Sequence, residues 1–412
     1  EKSPYLLEFG ETGDTLWDSS QIGLFRHGVM HNNVRMTWGK AFANWIKDPE
    51  DAMKTSLNFN NRYALDGRDP SSIAGVMWCF GLFDRSFSPH NPVMGNVRNR
   101  PTEIHQNRID LERYSNWTEK STLDKKLNIG IVGGGISGSF AAMLLENLGH
   151  DVTIWDKGRR ASGRLSSKEV TSDFSIHVGS KSFDSLPKWM ERYVSEWVRL
   201  KLVRMDGNSL VPIKPLSEII KYLNKEVEVN YGCKVTNLEE RNESVEITVK
   251  NQDSINKYQY DRVIVALPIE QAIDICNPLG LEINGVSDST WVAWGPSDKI
   301  DLIPENWESF YHTSGSGVME IRIRNDEIIG GDKLNSRYVV DFITDKLGVD
   351  STNWQAHYWK YAIPIDGPGE IIHTSRVSII GDGFGQPLGT VGGAIESSGR
   401  VVSEIHLSKL NF

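Results

Sequence analysis

Cysteine is scarce: the chain has three, Cys79, Cys233 and Cys276, far apart and in no Cys-x-x-Cys pair. That argues against a disulfide framework and a structural zinc site, and each reads as a small core residue. No run of eighteen apolar residues occurs and no charged-then-apolar leader opens the chain, so no membrane span or signal peptide is expected and the expected location is cytoplasmic. Without a secretory signal, Asn116-Trp-Thr and Asn242-Glu-Ser read as chance matches to the glycosylation pattern. The sequence opens at Glu1 rather than methionine, which leaves its true beginning open. No metal site is expected.

Basic charge is also short, but unevenly. Residues 1–127 carry equal numbers of acidic and basic side chains, so the whole net charge of −9 belongs to the rest. A strongly acidic module is a poor nucleic-acid binder, whereas the neutral one can still hold a local basic face. Apolar residues make up 39% of 412, enough for the cores of two domains or more.

What the chain does contain is a complete dinucleotide-binding pattern, NIGIVGGGISGSFAAMLLENLGHDVTIWD, from Asn128 to Asp156. Ile129–Val132 reads as a buried strand and Val152–Trp155 as a second. Between them Ile136, Phe140, Met143, Leu144 and Leu148 recur at helical spacing. Gly133, Gly135 and Gly138 form Gly-x-Gly-x-x-Gly at the strand-to-helix turn. The first allows the tight turn, the second lets a pyrophosphate approach the backbone, and the third lets helix and strand pack closely. The phosphates would rest on the helix N-terminus, where unpaired N–H groups and the helix dipole favour negative charge. Asp156 ends the second strand, roughly twenty residues past the glycines, where a carboxylate can accept from an adenosine ribose.

The basic loop KGRRASGRLSS follows. Its Arg159, Gly163 and Arg164 could neutralise a pyrophosphate or form a solvated loop. Residues 226–230, 245–250 and 261–267 read as strands; within 284–353, residues 318–323 and 338–342 are strand-like pieces in no evident order. Near the C-terminus Val377–Ile380 leads to Gly381-Asp382 and the loop GFGQPLGTVGG, which opens a helix at about Gly392. A carboxylate there can accept from a polyol, and N–H groups at Val391–Gly393 can stabilise negative charge; an ordinary strand-turn-helix corner is the alternative.

Residues 14–60 read as successive helices. Val34, Trp38, Ala41 and Trp45 recur at three- and four-residue steps, and Asp48-Pro49-Glu50-Asp51 has the form of a helix cap. HGVMHNNVRMTWGKAFANW, NNRYALDGRDP, WCFGLFDR and PVMGNVR together resemble the last part of the flavin-binding helical domain of class II DNA photolyases, over roughly Thr15–Tyr114. The resemblance implies that Asn32 and Met36 match positions contacting damaged bases, Arg35 and Asp66 positions lining the flavin, and Trp38 a tryptophan of the electron-transfer chain. Read from the residues alone, a tryptophan stripe at helical spacing is also a core stripe, and Arg35 with Asp66 an ion pair. The family's antenna domain and the first part of its helical domain have no counterpart in this chain. Ser71-Ser72 also stands where class II enzymes usually carry Asn-Gly, so light-driven repair by this chain alone is not expected.

GGGISG, WDKGRRASGRLSS, FSIHVGSKSF, VIVALP, AHYWKYAIP and GDGFGQPLGTVGGAIESSGR resemble flavin amine oxidases, more closely their renalase-like subgroup, over Asn128 to about Ile405. The implied fold is α/β: a Rossmann-type FAD-binding domain (127–180 and 370–412) with an inserted α+β substrate domain that also holds some FAD-domain strands (181–369). An all-α photolyase-like segment (1–114) and a polar linker (115–126) precede it. The resemblance assigns Gly133, Gly135, Gly138, Asp156, Arg159 and Arg164 to the ADP half of FAD, and Val235, through its backbone, to adenine. Asp382 would hold the ribityl chain, while Val391 and Gly392 face the pyrimidine edge. His177 and His357 are candidate catalytic residues because their motifs approach the flavin; structural histidines are the alternative. The expected function is an FAD-dependent oxidoreductase taking a hydride from an amine or a reduced nicotinamide-like donor, with dioxygen as a candidate reoxidant. The alternatives are a light-dependent DNA repair protein or photoreceptor lacking its front half, with DNA a partner only if that half is completed, and a non-catalytic FAD-stabilised module.

Overall fold

The computed structural model describes the chain except residues 120–125, 161, 172–173, 184, 208, 297–302, 313–316, 329–334 and 408–412, and the side chains of Asn32, Thr171 and Leu407. Two compact units form. One comprises Glu1–Lys126, Asn147–His150 and Trp189–Leu200; the other comprises Leu127–Glu146, Asp151–Lys188 and Lys201–Phe412.

The first unit is helical. Thr15–His27, Pro49–Tyr63 and Pro70–Cys79 begin at Asp14, Asp48 and Asp69, whose carboxylates accept from backbone N–H groups of the first turn. Such caps are each worth about 1 kcal/mol. The core gathers Leu7, Trp17, Leu24, Trp38, Phe42 and Phe59. Ser115–Thr118, read above as linker, instead completes the helix Leu111–Thr118, because Asp110 caps it and Thr118 is buried. The rest of that linker lies largely outside the described residues. Helix Glu191–Arg199, which the sequence reading placed in the inserted substrate domain, joins this unit. Tyr193 packs against Tyr5 and Phe9, and the buried Glu196 accepts from Ser3 at 2.6 Å.

The second unit is built on a six-stranded sheet. Its order is Ile372–His373, Val377–Ile379, Arg262–Val265, Asn128–Val132, Asp151–Asp156 and Glu228–Tyr231, parallel except at the first pair. Helix Ile136–Asn147 lies between the strands Asn128–Val132 and Asp151–Asp156. Of the expected face, Phe140 and Met143 are buried while Ile136, Leu144 and Leu148 are only partly so; Gly138, Ala141, Ala142 and Leu145 are buried as well. Small side chains allow close approach: a Cβ on Gly138 would stand 2.0 Å from the Gly133 carbonyl oxygen. An antiparallel three-stranded sheet, Lys234–Glu240, Val245–Lys250 and Ile255–Tyr260, adds to this core.

A separate four-stranded antiparallel sheet, named the substrate sheet after the substrate domain expected there, has the order Glu308–His312, Val318–Arg324, Thr290–Pro296, Gln355–Trp359. Residues 338–342, read as a strand, belong instead to helix Ser336–Leu347. Asn335 caps it by accepting from the Tyr338 N–H, and Val339, Val340, Ile343 and Leu347 bury one helical face. The resulting architecture is the α/β arrangement expected, a Rossmann-type unit with an α+β part, preceded by an all-α segment.

Candidate functional site

The second unit encloses a cavity of about 1180 Å³, above the roughly 300–1,000 Å³ common for small-molecule pockets. Both glycine turns line it. At the first, Gly133 has φ +106° and a Cβ there would stand 2.3 Å from the Ala266 oxygen, so only glycine fits. Gly135 is different: a Cβ would meet nothing closer than the Gly163 Cα at 4.0 Å, leaving bare backbone against open space. Gly138 is absent from the lining and serves the helix–strand packing instead. Ser137, in the first turn of the helix, donates to the Ala394 carbonyl at 3.0 Å. The helices from the two glycine turns are thereby tied together.

Asp156 lines the cavity at the end of its strand, and its two carboxylate oxygens accept from the Gly134 and Gly158 N–H groups, each at 2.6 Å. Val235 lies in the lining beside Cys233 and Lys234, where the pairing of Lys234–Glu240 with its neighbour shifts register between Val235 and Asn237. Arg159 is exposed and outside the lining; Arg160 takes the cavity position.

Arg164 and Asp382, assigned above to different parts of a dinucleotide, are partners of each other. The guanidinium donates to both carboxylate oxygens at 2.7 and 2.5 Å, and to the Ala362 carbonyl at 2.9 Å. Its charge is therefore committed to Asp382 rather than to a pyrophosphate. At the second turn Thr390 was missed as a cap. Its hydroxyl accepts from the Gly393 N–H at 2.9 Å and donates to the Pro387 carbonyl at 2.7 Å. Gly393 is thus not one of the anion donors expected at Val391–Gly393, and of that set Val391 lines the cavity. A threonine directly before a helix start was the signal available in sequence.

The cavity is also lined by the substrate sheet and the segment after it, with Thr290, Val292, Arg322, His357, Trp359 and Tyr361. His357 faces it on strand Gln355–Trp359; burial, then the charge of Lys168, lowers its pKa. His177 is not in the lining. Its Nδ1 pairs with the Ser167 hydroxyl at 2.9 Å, and burial pushes it down to about 4.

Sequence reasoning also missed a buried ion cluster on this sheet. The Glu320 side chain is fully buried and meets Lys181 at 3.1 Å, Arg322 at 2.9 Å and His312 at 3.2 Å. Burial alone would raise its pKa, but the His312 hydrogen bond and the charges of Lys181 and Arg322 outweigh burial and hold it at about 2. Lys181, desolvated, is lowered to about 7 despite Glu320.

In the helical unit, Arg35 donates to both oxygens of Asp66 at 2.9 and 2.8 Å, to Asn60 at 3.0 Å and to Ser72 at 2.9 Å. The Arg35 hydrogen bonds lower the Asp66 pKa. Trp38 is buried, donates to Gln21 at 2.9 Å and stacks on Trp17 at 6.4 Å, which meets Trp45 at 5.1 Å. Met36 touches Cys79, sulfur to sulfur, at 3.8 Å. Asn32 starts helix Asn32–Trp45, and its side chain lies outside the described residues. Among the described residues no cluster of His, Cys, Asp and Glu could hold a metal, and no helix is long and apolar enough to cross a membrane.

Comparison with known proteins supports both units. Residues 131–197 match the model of the NAD(P)-binding Rossmann-like domain, and residues 194–277 match that of the flavin containing amine oxidoreductases. The chain carries an FAD-dependent oxidoreductase unit. Its fold is similar to that of CabE, an aromatic hydroxylase from angucycline biosynthesis, with TM-score 0.52 at 14% identity over 69% of this chain and 63% of that one. The helical part is similar to the deoxyribodipyrimidine photo-lyases of Oryza sativa subsp. japonica (36% identical over 115 residues, 28% of this chain and 22% of that protein) and Arabidopsis thaliana (43% over 93 residues, 22% and 18%). The chain therefore spans about a fifth of the length of these photolyases, and a photolyase-like segment is fused to the oxidoreductase.

The oxidoreductase cavity fits FAD. It offers an open glycine backbone at Gly135, a strand-end carboxylate at Asp156 and a helix N-terminus at each of two turns, which is the donor and acceptor set a long dinucleotide needs.

Proposed function

We propose that the oxidoreductase unit takes a hydride from a small-molecule amine, or from a reduced nicotinamide-like donor, with dioxygen as the reoxidant. The observation that carries this reading is that one cavity is lined by Asp156 and Val235, by Arg164, Asp382 and Val391, and by His357 and Trp359 of the substrate sheet. The match to the amine oxidoreductase model supports the donor class. FAD, when bound, supplies the hydride acceptor.

The chain's own groups have separable roles. Gly133 and Gly135 let the pyrophosphate reach the first turn of Ile136–Asn147, Asp156 accepts from the ribose, and the Val235 backbone meets the adenine. Asp382, oriented by Arg164, accepts from the ribityl chain. The N-terminus of Val391–Leu407, at Val391 and Gly392, stabilises negative charge at the pyrimidine edge. His357 is the candidate base: its lowered pKa keeps the imidazole neutral near pH 7, with a lone pair available for a donor proton. Trp359 and Tyr361 supply aromatic surface to orient the donor.

Anaerobic mixing of FAD-loaded protein with a panel of amines and with reduced nicotinamide nucleotides tests this, read as loss of the flavin's visible absorbance. Bleaching by one donor class, slowed in His357→Ala, is the expected result. A flavin that no member of either class reduces contradicts the proposal.

A second reading, light-dependent DNA repair, is favoured by the contiguous Trp38–Trp17–Trp45 contacts, one stacked and one edge-on, an aromatic path of the kind electron transfer needs. DNA would be a partner only of a completed photolyase domain.

A further inference from the structure

We propose that Arg322 is a positioning residue for the Arg164–Asp382 pair, acting through the backbone of His177–Ser180; this rests on the reading of Asp382 as a flavin contact. Three consecutive carbonyls of that segment are held by side chains of the substrate sheet. Arg322 Nη2 donates to His177 O at 2.8 Å and to Gly179 O at 2.7 Å, while Trp359 Nε1 donates to Val178 O at 2.7 Å. The following N–H groups hold the Arg164 turn: Gly179 donates to Ser166 O at 3.4 Å and Ser180 to Arg164 O at 2.9 Å. The segment is a strap, its carbonyls fixed to the sheet and its amides fixed to Ser166 and to Arg164, the residue that orients Asp382.

Two features show that the strap leaves little play. A Cβ on Gly179 would stand 1.8 Å from the Arg164 oxygen, so the two backbones are in direct contact. Arg322 is itself held by Glu320, which accepts from Nε at 2.9 Å and is fully buried. That bond fixes the plane of the guanidinium so that Nη2 forks onto the two carbonyls. His312 and Lys181 complete the partners of the carboxylate. The substrate sheet thus holds the strap that holds Arg164, and the hydrogen bonds of Arg322 go to Glu320, His177 and Gly179 rather than to Asp156 or Val235 at the proposed adenosine end.

That separation gives the test. In Arg322→Lys the charge survives, but a single nitrogen replaces the separate Nε and Nη2 and cannot occupy both positions from which Glu320 and the two carbonyls are reached. Titration of the apoprotein should show FAD affinity lowered about tenfold or more, the scale for losing charge-assisted hydrogen bonds, with ADP affinity unchanged. Hydrogen exchange at the Gly179 and Ser180 amides of the apoprotein should accelerate while the slowest core amides do not. Trp359→Phe, which removes one donor and keeps most of the ring, should shift both readouts in the same direction by less, and it carries the test if Arg322→Lys does not fold. Equal loss of FAD and ADP affinity would mean general destabilisation and overturn the proposal. Unchanged FAD affinity with unchanged exchange would also overturn it. Accelerated exchange in a protein whose FAD affinity ignores Asp382→Ala would instead sink the flavin-contact reading and leave the strap intact.

Discussion

Arg164 and Asp382 are separated by 218 positions, yet the guanidinium of one meets both carboxylate oxygens of the other. The pair joins the loop after strand Asp151–Asp156 to the second glycine turn, so two distant stretches of the chain are coupled by a charged contact as well as by apolar packing. Asp382 is almost fully buried and Arg164 partly so, and removing one partner strands the other.

Asp382→Ala is therefore expected to do two things: weaken FAD binding and lower the stability of the apoprotein, the latter by about 2–3 kcal/mol. Asp382→Asn keeps an acceptor and the shape, so it should cost less in both. Fluorescence titration with FAD and urea unfolding of the apoprotein read the two effects. An Asp382→Ala protein with unaltered FAD affinity would show that Gly381-Asp382 is only a structural corner.

The glycines of the first turn separate binding from folding. Gly138→Ala drives a Cβ to 2.0 Å from the Gly133 oxygen and should destabilise the apoprotein, by about 1–3 kcal/mol as overpacked sites do. Gly135→Ala meets open space and should leave the apoprotein midpoint unchanged. Thermal unfolding of both variants without FAD checks the contrast, and equal destabilisation would mean that the turn is not built as described.

The features legible in sequence were those set by local chemistry. Gly133, Gly135 and Asp156 were readable because a strand, a tight turn and a helix impose a fixed order of residue types on neighbouring positions. The Arg164–Asp382 pair was not, because nothing local marks which of many carboxylates a distant arginine will meet. Helix Ser336–Leu347 was misread because Tyr338, Val339 and Val340 favour strands by propensity, while the deciding signals were the Asn335 cap and burial of Val339, Ile343 and Leu347 against a sheet. Glu320, Lys181 and Arg322 were overlooked for a related reason: charges read as solvated until two basic side chains are found around one buried carboxylate.

Lys181 makes stability depend on pH in a definite direction. Its folded-state pKa of about 7 lies below the roughly 10.4 of an unfolded chain. Between those values the unfolded chain holds a proton that the folded chain has released, so this group adds stability as pH rises through the window, and its desolvation penalty is fully present below it. Urea midpoints at about pH 7 and about pH 9 should rise more, or fall less, in the parent than in Lys181→Met, which has no proton to release. A parent-to-variant difference that stays constant over that interval would contradict the assignment.

The photolyase-like segment leads to a negative expectation. Residues 1–127 carry no net charge and the remainder carries −9, whereas nonspecific DNA binding draws on phosphate neutralisation. Ser72, at the position next to the expected asparagine, is engaged with Arg35 and Asn60. Illumination of the reduced, FAD-loaded chain with dimer-containing oligonucleotide should restore no thymines above a dark control. Restoration that Met36→Ala abolishes would reverse the ranking of the two functions.

The most direct test of the central claim, a single FAD site in the oxidoreductase unit, is flavin stoichiometry in the purified chain and in Gly135→Asp. The parent should release one non-covalent FAD per chain on acid treatment, or take one up on reconstitution. The variant, folded but with bulk and negative charge where the pyrophosphate approaches, should hold none. Colourless parent protein that cannot be reconstituted, or a Gly135→Asp chain that keeps its flavin, would contradict the account.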